Sequence, residues 1–521
     1  MKGSKDARMR TEEKSAVKNS IGRLVFVGLC VLLQVTWIIL LFIKLNEYST
    51  AVTLVTDILA VLVALRLYGT SLNAAMKTPW IMLIIAFPIM GLCLYLLLGN
   101  PGATAGMRKR FEKIDNEIMG LLKQDETVFD QLEKKDFAVA NQARYLINYG
   151  KFPVYRNTDV DFYGDAAEGL HAQLQELKKA EKFIFMEYHA IEESTAFFEL
   201  RDVLAQKVKE GVEVRLLYDD IGSIGFINTD FIKRMEALGI QCRVFNRLIP
   251  LLNVFMNNRD HRKITVIDGK VGFTGGYNLA DEYFNITHPY GQWKDTGVRL
   301  AGDAVRSLTV LFLEMWNAIR KTEEDYECYF PCISYRARED GFIQPYADSP
   351  LDNECVGENV YMNLIKNAKH EIYFATPYLI ISDEMSRELT LAAKRGVDVR
   401  IITPGIPDKK FIFKVTRSYY AGLAQAGVKI YEYTPGFIHA KQCVCDGETA
   451  TVGTMNLDFR SLYLHFENGV FLYGYQAVQK IKEDFLATFK VCENVTKKYE
   501  NGRSAALRIS GCILRLISPL L

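Results

Sequence analysis

The chain has no dominant charge. Its 63 lysines and arginines against 62 acids leave a formal charge of +1 at pH 7, which argues against a protein built mainly to neutralise a nucleic-acid backbone, although local basic patches survive the averaging. Cysteine is dilute: ten in 521 residues, none in paired C-x2-C spacing, too few for a disulfide scaffold and best read as free thiols in strands or helices. There is no H-E-x-x-H sequence and no carboxylate cluster able to hold two divalent cations. No metal or other cofactor is therefore expected. Histidine is scarce as well, with seven in the chain, so a pattern that uses two of them carries weight.

Apolar length, in contrast, is abundant at the N-terminus. Residues 24–43, LVFVGLCVLLQVTWIILLFI, run without a formal charge and are long enough as a helix to cross a hydrocarbon core. A second stretch, 51–68, is interrupted by Asp57 and Arg66, and a third, 79–98, reads PWIMLIIAFPIMGLCLYLLL. One such segment suits a cleavable signal peptide; three do not. The expectation is a polar extension over 1–23, a membrane-anchoring region of about three spans over 24–98, a linker over 99–150, and a catalytic body beyond it. The basic N-terminus and the run Arg108, Lys109, Arg110 pull that body towards opposite sides, so the topology stays open.

The body alternates short β-like runs with helical stretches, the pattern of an α/β domain, and the pattern occurs twice. AEKFIFMEYHAI at 180–191 is echoed by AKHEIYFATPYLI at 368–380, and GVEVRLLYDD at 211–220 by GVDVRIITPG at 396–405. HRKITVIDGKVGFTGGYNLADEY at 261–283 answers HAKQCVCDGETATVGTMNLDFRS at 439–461. Three echoes in one order imply two copies of one fold. Each copy is expected to carry His-x-Lys on a strand, both side chains on one face, then an Asp-Gly turn and a second strand ending at a small-residue bend, Gly275-Gly276 or Gly453-Thr454.

These residue types suit phosphoryl transfer without a metal. One imidazole can attack phosphorus while the paired imidazole moves a proton to or from the oxygen on the other side. Lys263 and Lys441 would place fixed positive charge on the non-bridging oxygens, and Asn278 and Asn456, fifteen positions after each lysine, can donate to the same oxygens. His261 and His439 therefore belong to one site that neither half completes alone. Asp268 and Asp446 finish the motif and count with the catalytic set, although a turn aspartate ahead of glycine more naturally accepts from backbone N–H groups outside the site. Asp295 in GQWKDTG and Glu467 in LHFENG occupy comparable places downstream and are candidates to orient the imidazoles. A zinc site at His439, Cys443 and Cys445 fails twice: a lysine intervenes on an extended strand, and the partner copy has Thr265 and Ile267 at the cysteine positions.

The paired H-x-K-x4-D motifs resemble those of the phospholipase D superfamily, and the whole arrangement is similar to membrane-anchored bacterial cardiolipin synthases. Besides the two motifs, FMEYHAI, GGYNLADEY, WKDTG, FATPYLI, GTMNLDFRS and the final LRLISPLL carry the likeness. The resemblance implies tandem duplicated phospholipase D-like domains, each a mixed β-sheet flanked by helices, over 151–345 and 346–521, preceded by transmembrane helices. It implies a multi-pass protein of the bacterial plasma membrane that uses phosphatidylglycerol, makes cardiolipin and glycerol, and needs no nucleic-acid partner. By the same likeness His261 is the nucleophile and His439 the general acid and then base, with Lys263, Asn278, Lys441 and Asn456 on phosphate and Asp295 and Glu467 behind the histidines. Hydrolysis of a phospholipid, or a donor such as phosphatidylethanolamine, is the neighbouring alternative. Tyr419, Tyr420, Tyr431, Tyr433 and LIPLLNVF at 248–255 are candidates for a lipid-facing rim.

Overall fold

The computed structural model describes residues 50–99, 104–247, 257–322 and 325–500, together with scattered residues of 25–44 and 511–518. In the first half, β1 (Thr158–Tyr163), β2 (Phe183–Tyr188), β3 (Glu213–Asp219), β4 (Gln241–Phe245), β5 (Lys263–Ile267), β6 (Val271–Gly275) and β7 (Gly297–Gly302) form a mixed sheet in the order β1-β7-β6-β5-β2-β3-β4. In the second, β8 (Phe342–Asp348), β9 (Glu371–Ala375), β10 (Asp398–Pro404), β11 (Lys429–Tyr433), β12 (Gln442–Cys445), β13 (Thr449–Gly453), β14 (His465–Tyr473) and β15 (Cys492–Asn494) follow the order β8-β14-β13-β12-β9-β10-β11-β15. Apart from the added β15, the second order repeats the first strand for strand, and both sheets are mixed α/β sheets.

Strands β2, β3 and β4 run parallel, as do β9, β10 and β11, so helices must carry the chain back between them. Thr195–Lys209 and Phe231–Ala237 do this in the first half, Asp383–Lys394 and Lys410–Gln425 in the second. Covered by helices, β2 reads FIFMEY and is buried along its whole length, as strands buried on both faces do. The helix Val305–Ile319 closes the space between the halves. It packs on β2, β5 and β6 of one sheet and β8 of the other, which is why its sequence is apolar on nearly every side and buried from Ser307 to Ala318. One hydrophobic core thus includes Val266 and Val298 with Val452 and Val470.

The N-terminal region departs from expectation. Residues 1–23, half of the first apolar segment and LIPLLNVF lie outside the described residues. The second apolar segment forms the helix Thr50–Tyr68, and the third is broken into Ala74–Ala86, Pro88–Leu94 and a wider turn at Tyr95–Gly99. The break falls where Pro88, lacking an N–H, forces Phe87 out of the helical region, to φ −137° and ψ 74°. Among the described residues no helix is long and apolar enough to cross a membrane. That finding corrects the expected transmembrane helices and the assignment as a multi-pass plasma-membrane protein. The helices instead pack on one another through Ala60, Leu67, Ile84 and Leu92, and Asn73 at their turn donates to Glu384 and Tyr463 of the second half, 3.2 Å in each case. The tyrosines taken for a lipid rim are also corrected: Tyr419, Tyr420 and Tyr433 are buried in the core and Tyr431 is half-buried against it.

Candidate functional site

Strands β5 and β12 begin at Lys263 and Gln442, so His261, His439 and Lys441 stand just ahead of their strands and not on them. Strand alternation therefore does not set the direction of these side chains; pairing between the halves does. The short strand Arg259–Asp260 runs parallel to the start of β14, placing Arg259 opposite His465 and Asp260 opposite Phe466. Likewise Gln292–Lys294 runs parallel to Gly436–Ile438. Each histidine N–H then bonds across the divide, His261 to the Phe466 carbonyl at 2.9 Å and His439 to the Lys294 carbonyl at 2.7 Å.

This exchange brings each imidazole to the acid of the other half. His261 Nδ1 lies 3.0 Å from Glu467 Oε2, and His439 Nδ1 lies 2.6 Å from Asp295 Oδ2. Both carboxylates are buried, at 0% and 1% exposure, so each fixes its ring through Nδ1 and leaves Nε2 available for chemistry. The acids can approach because the preceding bend is glycine in both copies. A Cβ at Gly275 would sit 2.5 Å from the Thr296 carbonyl oxygen, and one at Gly453 would sit 2.6 Å from the Gly469 Cα. One residue on, the halves diverge: a Cβ at Gly276 would run into the Asp295 carboxylate, whereas Thr454 at the same place donates its hydroxyl to Glu467.

Two buried lysines complete the centre. Lys263 donates to the His261 carbonyl at 2.6 Å, and Lys441 to the His439 carbonyl, its ammonium lying 2.7 Å from His439 Nδ1. Burial, only partly offset by Glu467, Asp260 and Asp295, brings Lys263 down to about 8. Burial and the Lys263 charge bring Lys441 down to about 7 against the pull of Asp295. The same burial, reinforced by both lysines, drives His261 well below the usual imidazole range, and it brings His439 to about 4 despite Asp295. Without substrate the site is a desolvated pair of neutral imidazoles beside two lysines whose charged forms gain from any anion placed between them.

The remaining sequence candidates fall into two groups. Asn278 is buried, accepts from the Ala190 N–H at 3.2 Å and donates to the Tyr283 hydroxyl at 2.9 Å; the Tyr283 ring stands 5.3 Å from His439. Asn456 is buried, and its carboxamide oxygen has no partner among the described residues. Asp268 and Asp446, in contrast, do not reach the histidines. They stand past the far ends of β5 and β12, about 3.3 Å per strand residue away from the motif lysines. There Asp268 accepts from the N–H groups of Glu181, Lys182 and Phe183 at 2.8, 2.7 and 2.9 Å, and Asp446 from those of Lys369, His370 and Glu371 at the same three distances. Their inclusion in the catalytic set is corrected: each ties the turn after one strand to the start of its neighbour.

Two residues of the site belong to neither H-x-K-x4-D motif. The His189 ring lies 4.8 Å from that of His261 and the His465 ring 5.5 Å from it, so four of the seven histidines meet here. At the place of His465 the first half has Trp293, 5.3 Å from His439, which hides the correspondence. Both His465 nitrogens are buried without a hydrogen-bond partner among the described residues, and burial brings the ring to about 3. His261, His465 and Glu467 offer donor atoms within 4.8 Å of one another, a spacing that could hold a metal ion, but the two ammonium groups beside them favour an anion. Cys443 and Cys445 are core residues; burial pushes both thiols up, away from the thiolate form that binds metals.

A duplicated mixed sheet that crosses its halves to build one imidazole pair defines an enzyme of the phospholipase D type. A family model described as "Cardiolipin synthase, PLD-like domain" matches residues 174–316 and 361–488, and one described as "Phospholipase_D-nuclease N-terminal" matches 57–100. The chain belongs to the PLD-like cardiolipin synthase family. It is 41% identical over 460 residues to an uncharacterized protein of Streptococcus mutans, covering 88% of this chain and 99% of that one. It is 35% identical over 468 residues to a cardiolipin synthase of Geobacillus kaustophilus, covering 88% and 92%. Among solved structures, phosphatidylserine synthase of Haemophilus influenzae shares the fold with a TM-score of 0.55 at 14% identity, over 73% of this chain and 99% of that one.

Proposed function

We propose that the chain transfers a phosphatidyl group from one phosphatidylglycerol to a hydroxyl of a second, giving cardiolipin and glycerol through a phosphatidyl-histidine. The observation that carries this reading is the crossed pair His261–Glu467 and His439–Asp295 with Lys263 and Lys441 beside them. The named relatives supply the lipid class.

In this reading His261 holds its Nδ1 proton towards Glu467 and attacks phosphorus through Nε2. The bond from phosphorus to the glycerol oxygen breaks, and His439 gives that oxygen a proton. A hydroxyl of the second phosphatidylglycerol then passes its proton to His439 while its oxygen attacks phosphorus and the phosphorus–nitrogen bond breaks. Both histidines are restored. Lys263 and Lys441 hold the non-bridging oxygens, with Asn278 and Asn456 as further donors. The low resting position of His439, about 4, suits this sequence if the proton arrives with the substrate, since a bound phosphodiester anion stabilises the protonated ring.

Rapid alkaline denaturing quench with phosphorus-labelled phosphatidylglycerol tests the covalent step. Label on the peptide that contains His261 is expected. Label on the His439 peptide would exchange the two roles, and no labelled peptide in a turning-over enzyme would reject the intermediate.

A further inference from the structure

Between β10 and the helix Lys410–Gln425 the chain turns through Gly405–Lys409, and the turn is fixed beside His439. The Ile406 N–H bonds the carbonyl of Gly436, the first residue of the short strand that delivers His439, at 3.1 Å, and Asp408 accepts from the Tyr378 hydroxyl at 2.5 Å. Inward from it, Tyr290 packs 6.3 Å from Trp293 and 6.2 Å from Phe437, whose rings lie 5.3 and 5.9 Å from His439. An apolar path therefore leads from this lip to the site.

The outer surface of the lip is built against its own interest in water. Ile406 is 42% and Phe411 45% exposed, and Lys409, Lys410 and Lys414 are exposed around them. The helix has no acid in its first turn and no side-chain cap. Cations at a helix N-terminus oppose the macrodipole, and these three make no ion pair with another described residue. Two acids stand near these lysines, Asp408 in the same turn and Asp458, whose charged form Lys409 favours, so positive charge stays in excess. Exposed apolar side chains ringed by it, at the positive end of a helix, complement a surface that is apolar within and anionic at its boundary. The helices that precede the body are pinned through Asn73 to Glu384, at the start of the helix that follows β9. That helix and the lip both follow the C-terminal ends of the parallel neighbours β9 and β10, and the N-terminal helices expose Leu54, Val55 and Ile58.

We propose that the lip docks on an anionic lipid surface, Ile406 and Phe411 entering the headgroup layer and Lys409, Lys410 and Lys414 resting on lipid phosphates. The consequence that the acceptor lipid reaches His439 without leaving the bilayer rests on the function proposed above; the docking itself does not.

A local probe separates the lip from the other exposed apolar side chains. Phe411→Trp in the full chain is expected to be quenched beyond the wild-type tryptophans by phosphatidylglycerol vesicles with brominated acyl chains, less so at high salt. No added quenching, or equal quenching by brominated phosphatidylcholine vesicles, overturns the proposal. Joint Lys409→Glu, Lys410→Glu and Lys414→Glu should lower turnover of bilayer phosphatidylglycerol about tenfold more than turnover of a monomeric short-chain phosphatidylglycerol. Equal loss on both substrates overturns it as well. Quenching at position 411 in a protein that makes no cardiolipin from either substrate would uphold the docking and reject the proposed function.

Discussion

Replacing Glu467 by glutamine leaves a hydrogen-bonding partner for His261 but removes the charge that favours one tautomer, and Asp295→Asn does the same to His439. Each is expected to reduce turnover on the order of a thousandfold while substrate binding changes little, by analogy with a catalytic imidazole deprived of its carboxylate. Steady-state rates on purified, folded variants check this. Unchanged rates would demote both acids to scaffolding. The resting protonation pattern gives a second expectation. With Lys441 near 7, Lys263 near 8 and His439 near 4, a phosphodiester anion entering at pH 7.5 raises all three and should bring protons with it. Calorimetry of a non-reactive phospholipid analogue in buffers of different ionisation enthalpy should show net proton uptake at pH 7.5, with only the His439 share left once the pH is lowered to where the lysines are already charged. Release of protons on binding would contradict the charge pattern.

At the scale of elements, the paired aspartates after β5 and β12 make a separable prediction. Asp268 and Asp446 both sit at φ 53°, ahead of Gly269 and Gly447 at 65° and 66°, and asparagine tolerates that left-handed conformation. Asp268→Asn or Asp446→Asn therefore keeps the turn and removes a charged acceptor from three backbone N–H groups. About 2 kcal/mol of stability should be lost in each, read by denaturant unfolding, with turnover of the folded fraction retained. The repeated motif made this turn legible in the sequence, and the places of Asp295 and Glu467 as well. It could not show which histidine each acid serves, because that follows from Arg259–Asp260 joining β14 and Gln292–Lys294 joining Gly436–Ile438, contacts between segments about two hundred residues or nearly one hundred and fifty residues apart in sequence. Hydropathy likewise counted 79–98 as one segment; the break at Phe87 belongs to local backbone chemistry at Pro88.

For the whole molecule, duplication explains both what could be read and what stayed hidden. Equal motifs identified one site from two halves, but the departures from symmetry carry no motif. His465 stands where Trp293 does, Thr454 where Gly276 does, and Arg262, held by Glu187 and Glu314 at 2.7 and 3.0 Å, where Ala440 does. These differences surround His261 with polar groups and His439 with the rings of Tyr283, Trp293 and Phe437. Unequal surroundings fit unequal duties, a nucleophile on one side and a proton carrier on the other. The most direct test of that account is a product balance with the purified full-length chain and phosphatidylglycerol labelled in its terminal glycerol and in its phosphorus. Cardiolipin and free glycerol should appear in equal amounts, and both should vanish in His261→Ala and in His439→Ala; phosphatidic acid as the main lipid product, or cardiolipin formation surviving either substitution, would contradict it.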